Sequence, residues 1–284
     1  MGAKIAFIGP GVMAEAMIGG LIRQKLEKPE DLIAAGPRPE RLEMLQKKYG
    51  IQIEGDNSVA AKDASIVVLS VKPQKLNRVL AGLRGSIPSQ ALVVSIVAGA
   101  PIEKIMQGLN HPYVVRSMPN TPAQIGEGIT VWTVSPAVSE EQKQAAQRLL
   151  SALGDEIFVE EETYLDMATA LSGTGPAYVF LFMEAMVDAG VHLGFPRRIA
   201  EQLVAKTVRG SVDYYTKRED QVHLARLRNE VTSPGGTSAA ALYYLEKAGF
   251  RTAISRAIWA AYERSRELGR DARARPPENH SREE

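Results

Sequence analysis

An α/β fold, with a doubly wound and mainly parallel sheet followed by an all-helical region, is the class this sequence predicts. Three observations carry the expectation. Short β-branched runs alternate with helical patterns from Lys4 to Val159, as in right-handed βαβ units. A glycine turn joins the first strand directly to the first helix. From Thr163 onward the β-branched runs stop, and apolar residues recur at three and four. The expected division is a dinucleotide-binding unit over 1–162, a helical unit over 163–269 and a charged, proline-bearing, disordered tail over 270–284.

The first element is a buried strand, Ile5-Ala6-Phe7-Ile8. It is followed by Gly9-Pro10-Gly11-Val12-Met13-Ala14 and a helix with Val12, Ala16, Ile18 and Leu21 at helical spacing. The turn has the G-x-G-x-x-A form of a dinucleotide fingerprint. Gly9 allows the tight turn, Gly11 has no Cβ to hold a diphosphate off the backbone, and Ala14 lets helix and strand pack closely. The positive end of the helix then faces the anion. A strand before and a helix after favour this over a merely structural glycine turn, so the sheet is of Rossmann type.

Asp31–Ala35 follows as a strand, and Pro39 opens a helix to Lys48, its missing N–H falling in the first turn. Ile51–Glu54 is a third strand. Ser65–Val71 and Ala91–Val97 are continuous β-branched runs of the kind a parallel strand buried on both faces shows. Helices are expected at Leu76–Leu83 and Ile102–Leu109, and strands at Tyr113–Ser117 and Ile129–Val134. Ser139-Glu140-Glu141-Gln142 is a capping-box start for a helix to Leu153, and Glu156–Val159 closes the sheet. The later helices are Tyr164–Leu171, Ala177–Leu193, Arg197–Tyr215, Gln221–Glu230, Ser238–Lys247 and Arg251–Leu268.

In the helix from Ala177, the run Tyr178 to Met183 with Met186 is apolar on almost every side, so it must be enclosed. It is either the centre of a monomeric bundle or part of a dimer interface, and the second is favoured because obligate interfaces resemble cores. Glu184, Asp188 and His192 in the same stretch argue against a membrane span. The N-terminal apolar run is broken by Gly-Pro-Gly and has no cleavage-type ending, so no signal peptide is expected and a cytoplasmic location follows.

Composition narrows the chemistry. With 34 Lys+Arg against 33 Asp+Glu in 284 residues, the formal charge is +1, and no broad field points to nucleic acid or a membrane surface. The absence of cysteine excludes thiol nucleophiles, disulfides and thiolate metal ligands. The four histidines are scattered without ligand spacing, and no metal is expected. The second strand ends Ala35-Gly36-Pro37-Arg38, without the carboxylate that takes a ribose 2′-hydroxyl in NAD enzymes. Arg38 can pair with a 2′-phosphate instead, so NADPH is preferred, with NADH as the lesser alternative.

Further loops follow strand ends, where an open α/β sheet places its ligands: Val71-Lys72-Pro73, Ala98-Gly99 and Met118-Pro119-Asn120-Thr121-Pro122. In the helical region, Ser172-Gly173-Thr174-Gly175-Pro176 opens one helix and Ser233-Pro234-Gly235-Gly236-Thr237-Ser238 another. Hydroxyls and a glycine pair at a helix N-terminus suit a carboxylate or phosphate. Taken alone, the second segment reads equally well as an N-cap with a glycine turn.

Together these segments resemble pyrroline-5-carboxylate reductases. The resemblance runs from Lys4 to Leu268 and is carried by VTSPGGTSAAALYYLEKAGFRTAI, RSMPNTPA, LSGTGPAYVF and SVKPQ. It implies NAD(P)H-dependent reduction of the C=N bond of 1-pyrroline-5-carboxylate to L-proline, the last step of proline biosynthesis. It also implies a helical dimerisation domain and a homodimer, five of which can form a decamer. By position, Gly9, Pro10, Gly11, Val12, Met13 and Ala14 would hold the diphosphate, and Arg38 and Asn57 would lie at the adenosine ribose. Val71, Lys72, Pro73, Ala98, Gly99 and Asn120 would border the cofactor toward the nicotinamide. Ser233, Gly235, Gly236 and Thr237 would hold the substrate carboxylate, with Ser238 near the ring nitrogen as the catalytic candidate and Thr174 close by.

Three departures from the family pattern stand out: Ser238 where threonine is commonest, Asn229 where an acid is frequent, and Gly36-Pro37 without the Ser or Asn before the arginine. Two other classes compete. Another imine or β-hydroxyacid reductase would need a lysine general acid, for which Lys206 is the only lysine well inside a helix of that region. A catalytically silent nucleotide sensor would need the first loop but not the Ser-Pro-Gly-Gly segment.

Overall fold

The structure is a computed structural model and describes residues 4–218, 220 and 222–274. Its order is β1 (Ile5–Ile8), α1 (Val12–Arg23), β2 (Leu32–Ala35), α2 (Pro39–Tyr49), β3 (Gln52–Glu54), α3 (Asn57–Ala61), β4 (Ile66–Leu69) and α4 (Leu76–Leu83). There follow β5 (Leu92–Ser95), α5 (Ile102–Leu109), β6 (Val114–Met118), β7 (Gly128–Val134), α6 (Glu140–Ser151), β8 (Gly154–Phe158) and α7 (Thr163–Ala168). The chain continues through α8 (Gly175–His192), α9 (Arg197–Thr216), α10 (Leu224–Glu230), α11 (Thr237–Lys247) and α12 (Phe250–Ala274).

The eight strands form one sheet in the order β3-β2-β1-β4-β5-β6-β7-β8. Every pairing is parallel except β6 with β7, in which Arg116 faces Thr133. A five-residue 3-10 segment, Thr121–Ile125, reverses the chain there without a helical crossover. Alternate residues of β1 serve two cores. Ile5 and Phe7 join Met17, Leu45 and Leu149 on one face, while Ala6 and Ile8 join Leu76, Leu83 and Ile105 on the other. That double burial is why the central strands read as unbroken apolar runs.

Helix boundaries follow local chemistry. Gly50 ends α2 in the left-handed conformation at φ 70°, and Ser139 with Gln142 makes the reciprocal capping box before α6. Several expectations need correction. The strands around β4 and β5 are shorter at both ends, because their flanking residues turn into the loops. α3 was not expected; Asp56 caps it by accepting from the Ser58 N–H at 2.7 Å. The helix foreseen over Tyr164–Leu171 is interrupted, since Thr169–Gly173 is a π-helical turn. The tail expected from 270 begins inside α12, whose Asp-Ala-Arg-Ala run continues the helix to Ala274. Residues 275–284 lie outside the described residues, as does Gln221, the expected start of α10.

The chain separates into two compact units, one of Gly175–Ala260 and one holding the sheet, α7, the π-turn and the last helix from Ala261. α7 joins the sheet by ionic as well as apolar contacts: it packs on β6 and β7, and Arg116 of β6 pairs with Glu162 and with Asp166 of α7. Asp166 in turn accepts from Ser265 of α12 at 3.0 Å.

In the helical unit, α8 and α9 pack through Val187, Ala200 and Val204. Within the single chain α8 is not enclosed: Phe180 is 60% and Leu181 67% exposed. The helical stretch Thr163–His192 is long and apolar enough to cross a membrane by length and composition alone. It carries Glu184 and Asp188, and Asp188 is ion-paired with Arg197 at 2.8 Å.

Candidate functional site

The sheet brings the carboxyl ends of β1, β2, β4, β5 and β6 to one edge, and with them the loops at Gly9, Gly36, Val71, Gly99 and Asn120. The chain leaves β1 toward β2 on one side and reaches β4 on the other, so β1/β4 is the switch point where such sheets bind ligands. Gly9 sits there at φ 82°. A Cβ on it would run into the Val71 Cγ1, so glycine is required both for its backbone conformation and for the close approach of the β4 loop.

Gly11 caps α1 without any side-chain hydrogen bond, leaving the first-turn N–H groups of Val12, Met13 and Ala14 without intrahelical partners. A Cβ at Gly11 would touch only the Gly9 carbonyl oxygen, at 3.9 Å, so the space above the loop is open. Val12 is exposed and Ala14 fully buried, which suits a loop that receives a ligand on one side and packs on the other. The Asn57 Oδ1, at the start of α3, is buried without a hydrogen-bond partner. An orphaned acceptor and an open glycine cradle fit a ribose hydroxyl and a diphosphate.

The remaining residues on this edge differ in how far they are already committed. Arg38 is exposed at the N-cap of α2. Lys72 and Pro73 are exposed at a short 3-10 turn. Asn120 already accepts from the Ile129 N–H at 3.0 Å, which orients its amide and leaves the N–H₂ for a ligand. Gly99, at φ 66°, lies under Leu268: a Cβ there would come 3.0 Å from the leucine Cβ. Thr174 donates to the Thr169 carbonyl at 2.8 Å, within the π-turn geometry. A Cβ on Gly173 would come 2.5 Å from the Met118 Cε, so the LSGTG and RSMPNTPA segments meet in the sheet unit.

The second segment lies in the helical unit. Gly235 turns at φ 70°, and Gly236 caps α11, again without a side-chain bond. A Cβ on Gly236 would come 2.5 Å from the Ser233 Oγ, so the serine hydroxyl lies against the glycine. Thr237 and Ser238 are the first two residues of the helix, Ser238 half-buried. α11 thus presents free N–H groups and hydroxyls at its positive end, which suits a carboxylate.

Two clusters had no signal in the sequence. Arg41 of α2 reaches the Pro10 and Gly11 carbonyls and pairs with Glu15. Arg116, nearly buried, pairs with Glu162 at 2.8 Å and Asp166 at 2.9 Å, and Glu162 also accepts from the Ile102 N–H at 2.9 Å. Among the described residues no group of histidine, aspartate or glutamate could hold a metal.

Comparison with known proteins places both halves. Residues 162–268 match the family model for pyrroline-5-carboxylate reductase dimerisation, and residues 4–99 match that for NADP oxidoreductase, coenzyme F420-dependent. The pyrroline-5-carboxylate reductase of Synechocystis sp. is 43% identical over 95% of this chain and 100% of its own length. That of Pseudomonas aeruginosa is 40% identical over 93% of this chain and 96% of its own. The crystal structure of the Plasmodium falciparum pyrroline carboxylate reductase with NADP bound superposes with a TM-score of 0.86 at 32% identity. It covers 94% of this chain and 98% of that one.

Proposed function

The chain belongs to the pyrroline-5-carboxylate reductase family, and we propose that two glycine-capped helix starts, at Gly11 and Gly236, divide the work of that reaction between them. The protein is an oxidoreductase that uses NAD(P)H to reduce the C=N bond of 1-pyrroline-5-carboxylate to L-proline, the last step of proline biosynthesis. One observation supports the division of labour above the rest. Gly11 caps α1 in the sheet unit and Gly236 caps α11 in the helical unit, neither with a side-chain hydrogen bond, one for each anionic group of the reaction.

When bound, the reduced nicotinamide supplies the hydride. The first-turn N–H groups of α1 hold the diphosphate, and Asn57 takes a ribose hydroxyl. Exposed Arg38, with no carboxylate at the end of β2, favours NADPH over NADH. Gly235 and Thr237 grip the substrate carboxylate through backbone N–H groups, with the Ser233 hydroxyl beside them, while the Gly236 N–H is committed to the Ser233 carbonyl at 3.1 Å. A protonated cyclic imine is already electrophilic, so positioning supplies most of the acceleration, a contribution that can reach roughly 7–11 kcal/mol. Ser238 donates or relays a hydrogen bond to the ring nitrogen. Lys72 serves the cofactor, because a cation beside an iminium would oppose the reaction.

The chain carries a dimerisation domain, and exposed Phe180 and Leu181 of α8 are the surface that a second copy covers. Five such dimers in a decamer, and a cytoplasmic location, complete the reading; light scattering tests the first.

NADPH oxidation followed with 1-pyrroline-5-carboxylate, with a β-hydroxyacid and with no substrate tests the whole. Oxidation with the imino acid alone, matched by L-proline formed, is expected; oxidation driven by the hydroxyacid would overturn it.

A further inference from the structure

Each carbonyl of the Gly9–Gly11 turn has a donor of its own. The Gly9 oxygen accepts from the Gly11 N–H at 2.7 Å and from the Ser70 Oγ at 3.0 Å. The Pro10 oxygen accepts from the Arg41 Nε at 2.9 Å. The Gly11 oxygen accepts from the Arg41 Nη2 at 3.0 Å and from the Glu15 N–H at 3.0 Å. With the oxygens turned to these donors, the loop offers an incoming anion its N–H groups.

Arg41 makes two of these bonds from outside the fingerprint. In a trans peptide the C=O and N–H point opposite ways. Holding the Gly11 oxygen toward α2 therefore turns the Val12 N–H away from it, into the open space over the loop. Without that hold, the peptides on either side of Gly11 regain the freedom that glycine allows, and binding must then order them.

The guanidinium is itself committed. Its Nη2 meets the Glu15 Oε2 at 2.7 Å, and its side chain is only 20% exposed. The Glu15 Oε1 takes the Lys48 Nζ at 2.8 Å and the Tyr49 hydroxyl at 3.1 Å, so α2 grips α1 at the loop and one turn beyond it. A cation neutralised in this way is poorly placed to pair with a 2′-phosphate, in contrast to exposed Arg38.

We propose that Arg41 is a positioning residue for the dinucleotide diphosphate, acting through the Pro10 and Gly11 carbonyls, and that it does not distinguish NADPH from NADH. The inference rests on the dinucleotide reading of this loop. Its consequence is a separation of roles along α2: Arg41 sets affinity for both cofactors, and Arg38 sets the ratio between them.

Equilibrium titration of the unliganded protein with NADPH and with NADH, beside thermal melting of the same samples, tests this in wild type, Arg41→Ala, Arg41→Lys and Arg38→Ala. Arg41→Ala should weaken both dinucleotides by the same factor, on the order of tenfold for two lost charge-assisted bonds. The NADPH-to-NADH ratio should stay at the wild-type value, and Arg41→Lys should recover part of the loss. At saturating NADPH, kcat should remain near wild type while KM rises. Arg38→Ala should weaken NADPH and spare NADH. Unchanged affinities in folded Arg41→Ala, or a loss confined to NADPH, would overturn the inference. A wild type that binds neither dinucleotide would instead overturn the reading beneath it.

Discussion

Ser265 of α12 donates to the Asp166 Oδ1 at 3.0 Å, the same carboxylate oxygen that Arg116 of β6 meets at 2.9 Å. One oxygen thus ties the sheet, α7 and the last helix together. Arg116 is nearly buried, while Glu162 and Asp166 keep partial access to water. Arg116→Met should therefore cost about 3 kcal/mol, the lower end for breaking a buried pair, because the stranded carboxylates can hydrate. Urea unfolding reads this directly. A midpoint equal to wild type would mean that apolar packing alone holds α7 in place.

Gly9 and Gly11 look alike in the sequence but should fail differently. Gly9→Ala puts an L-residue at φ 82° and a methyl onto Val71. The strained backbone alone costs roughly 1–2 kcal/mol, so the unliganded protein should melt lower. Gly11→Ala meets only the Gly9 oxygen, at 3.9 Å, so the fold should survive while NADPH binding falls. Melting curves without cofactor, set beside NADPH titrations, separate the two. A Gly9→Ala protein that melts with wild type would overturn both the backbone and the steric argument.

What could be read in the sequence was what is local. β1, β4 and β5 declared themselves because strands buried on both faces are almost wholly apolar, and the Gly9–Ala14 loop because its chemistry fits within six residues. The contacts that shape the site from outside were not readable. Arg41 meets Gly11 across 30 residues, Arg116 meets Asp166 across 50 and Ser265 meets Asp166 across 99. An arginine or a serine on a helix face looks the same whether solvated or committed, and only the fold decides. α3 escaped notice because five residues are too few to show a helical period, and Asp56-Asn57-Ser58 reads as turn chemistry.

Ser238 carries the chemical part of the reading. It is the second residue of α11, with Gly236 as the cap, so its hydroxyl sits beside the N–H groups assigned to the carboxylate. Ser238→Ala leaves the backbone N–H groups in place and removes only the hydroxyl. Turnover should fall by about 10²-fold if that hydroxyl takes part in proton transfer, with NADPH affinity unchanged. Ser238→Thr should keep turnover, since the hydroxyl remains and its rotamer is more restricted. Steady-state kinetics in both substrates decide the matter: unaltered turnover in Ser238→Ala removes the residue from the mechanism.

The ion-pair cluster behind the glycine loop should give stability a particular dependence on pH. Burial pushes the Glu15 carboxyl up, but hydrogen bonds from Lys48, Arg41 and Tyr49, with the charge of Arg41, outweigh it and hold the group below its ordinary 4.5. A carboxyl held lower in the folded state contributes stability above the unfolded value and loses it as the pH falls through the folded one. Wild type should therefore be more stable than Glu15→Gln at neutral pH, and the two should converge as the pH drops below 4.5. Urea midpoints of both proteins, taken from neutral pH downward, give the difference at each step. A gap that persists once Glu15 is protonated would mean that glutamine loses packing or hydrogen bonds rather than charge, and the cluster would then hold α1 to α2 by shape alone.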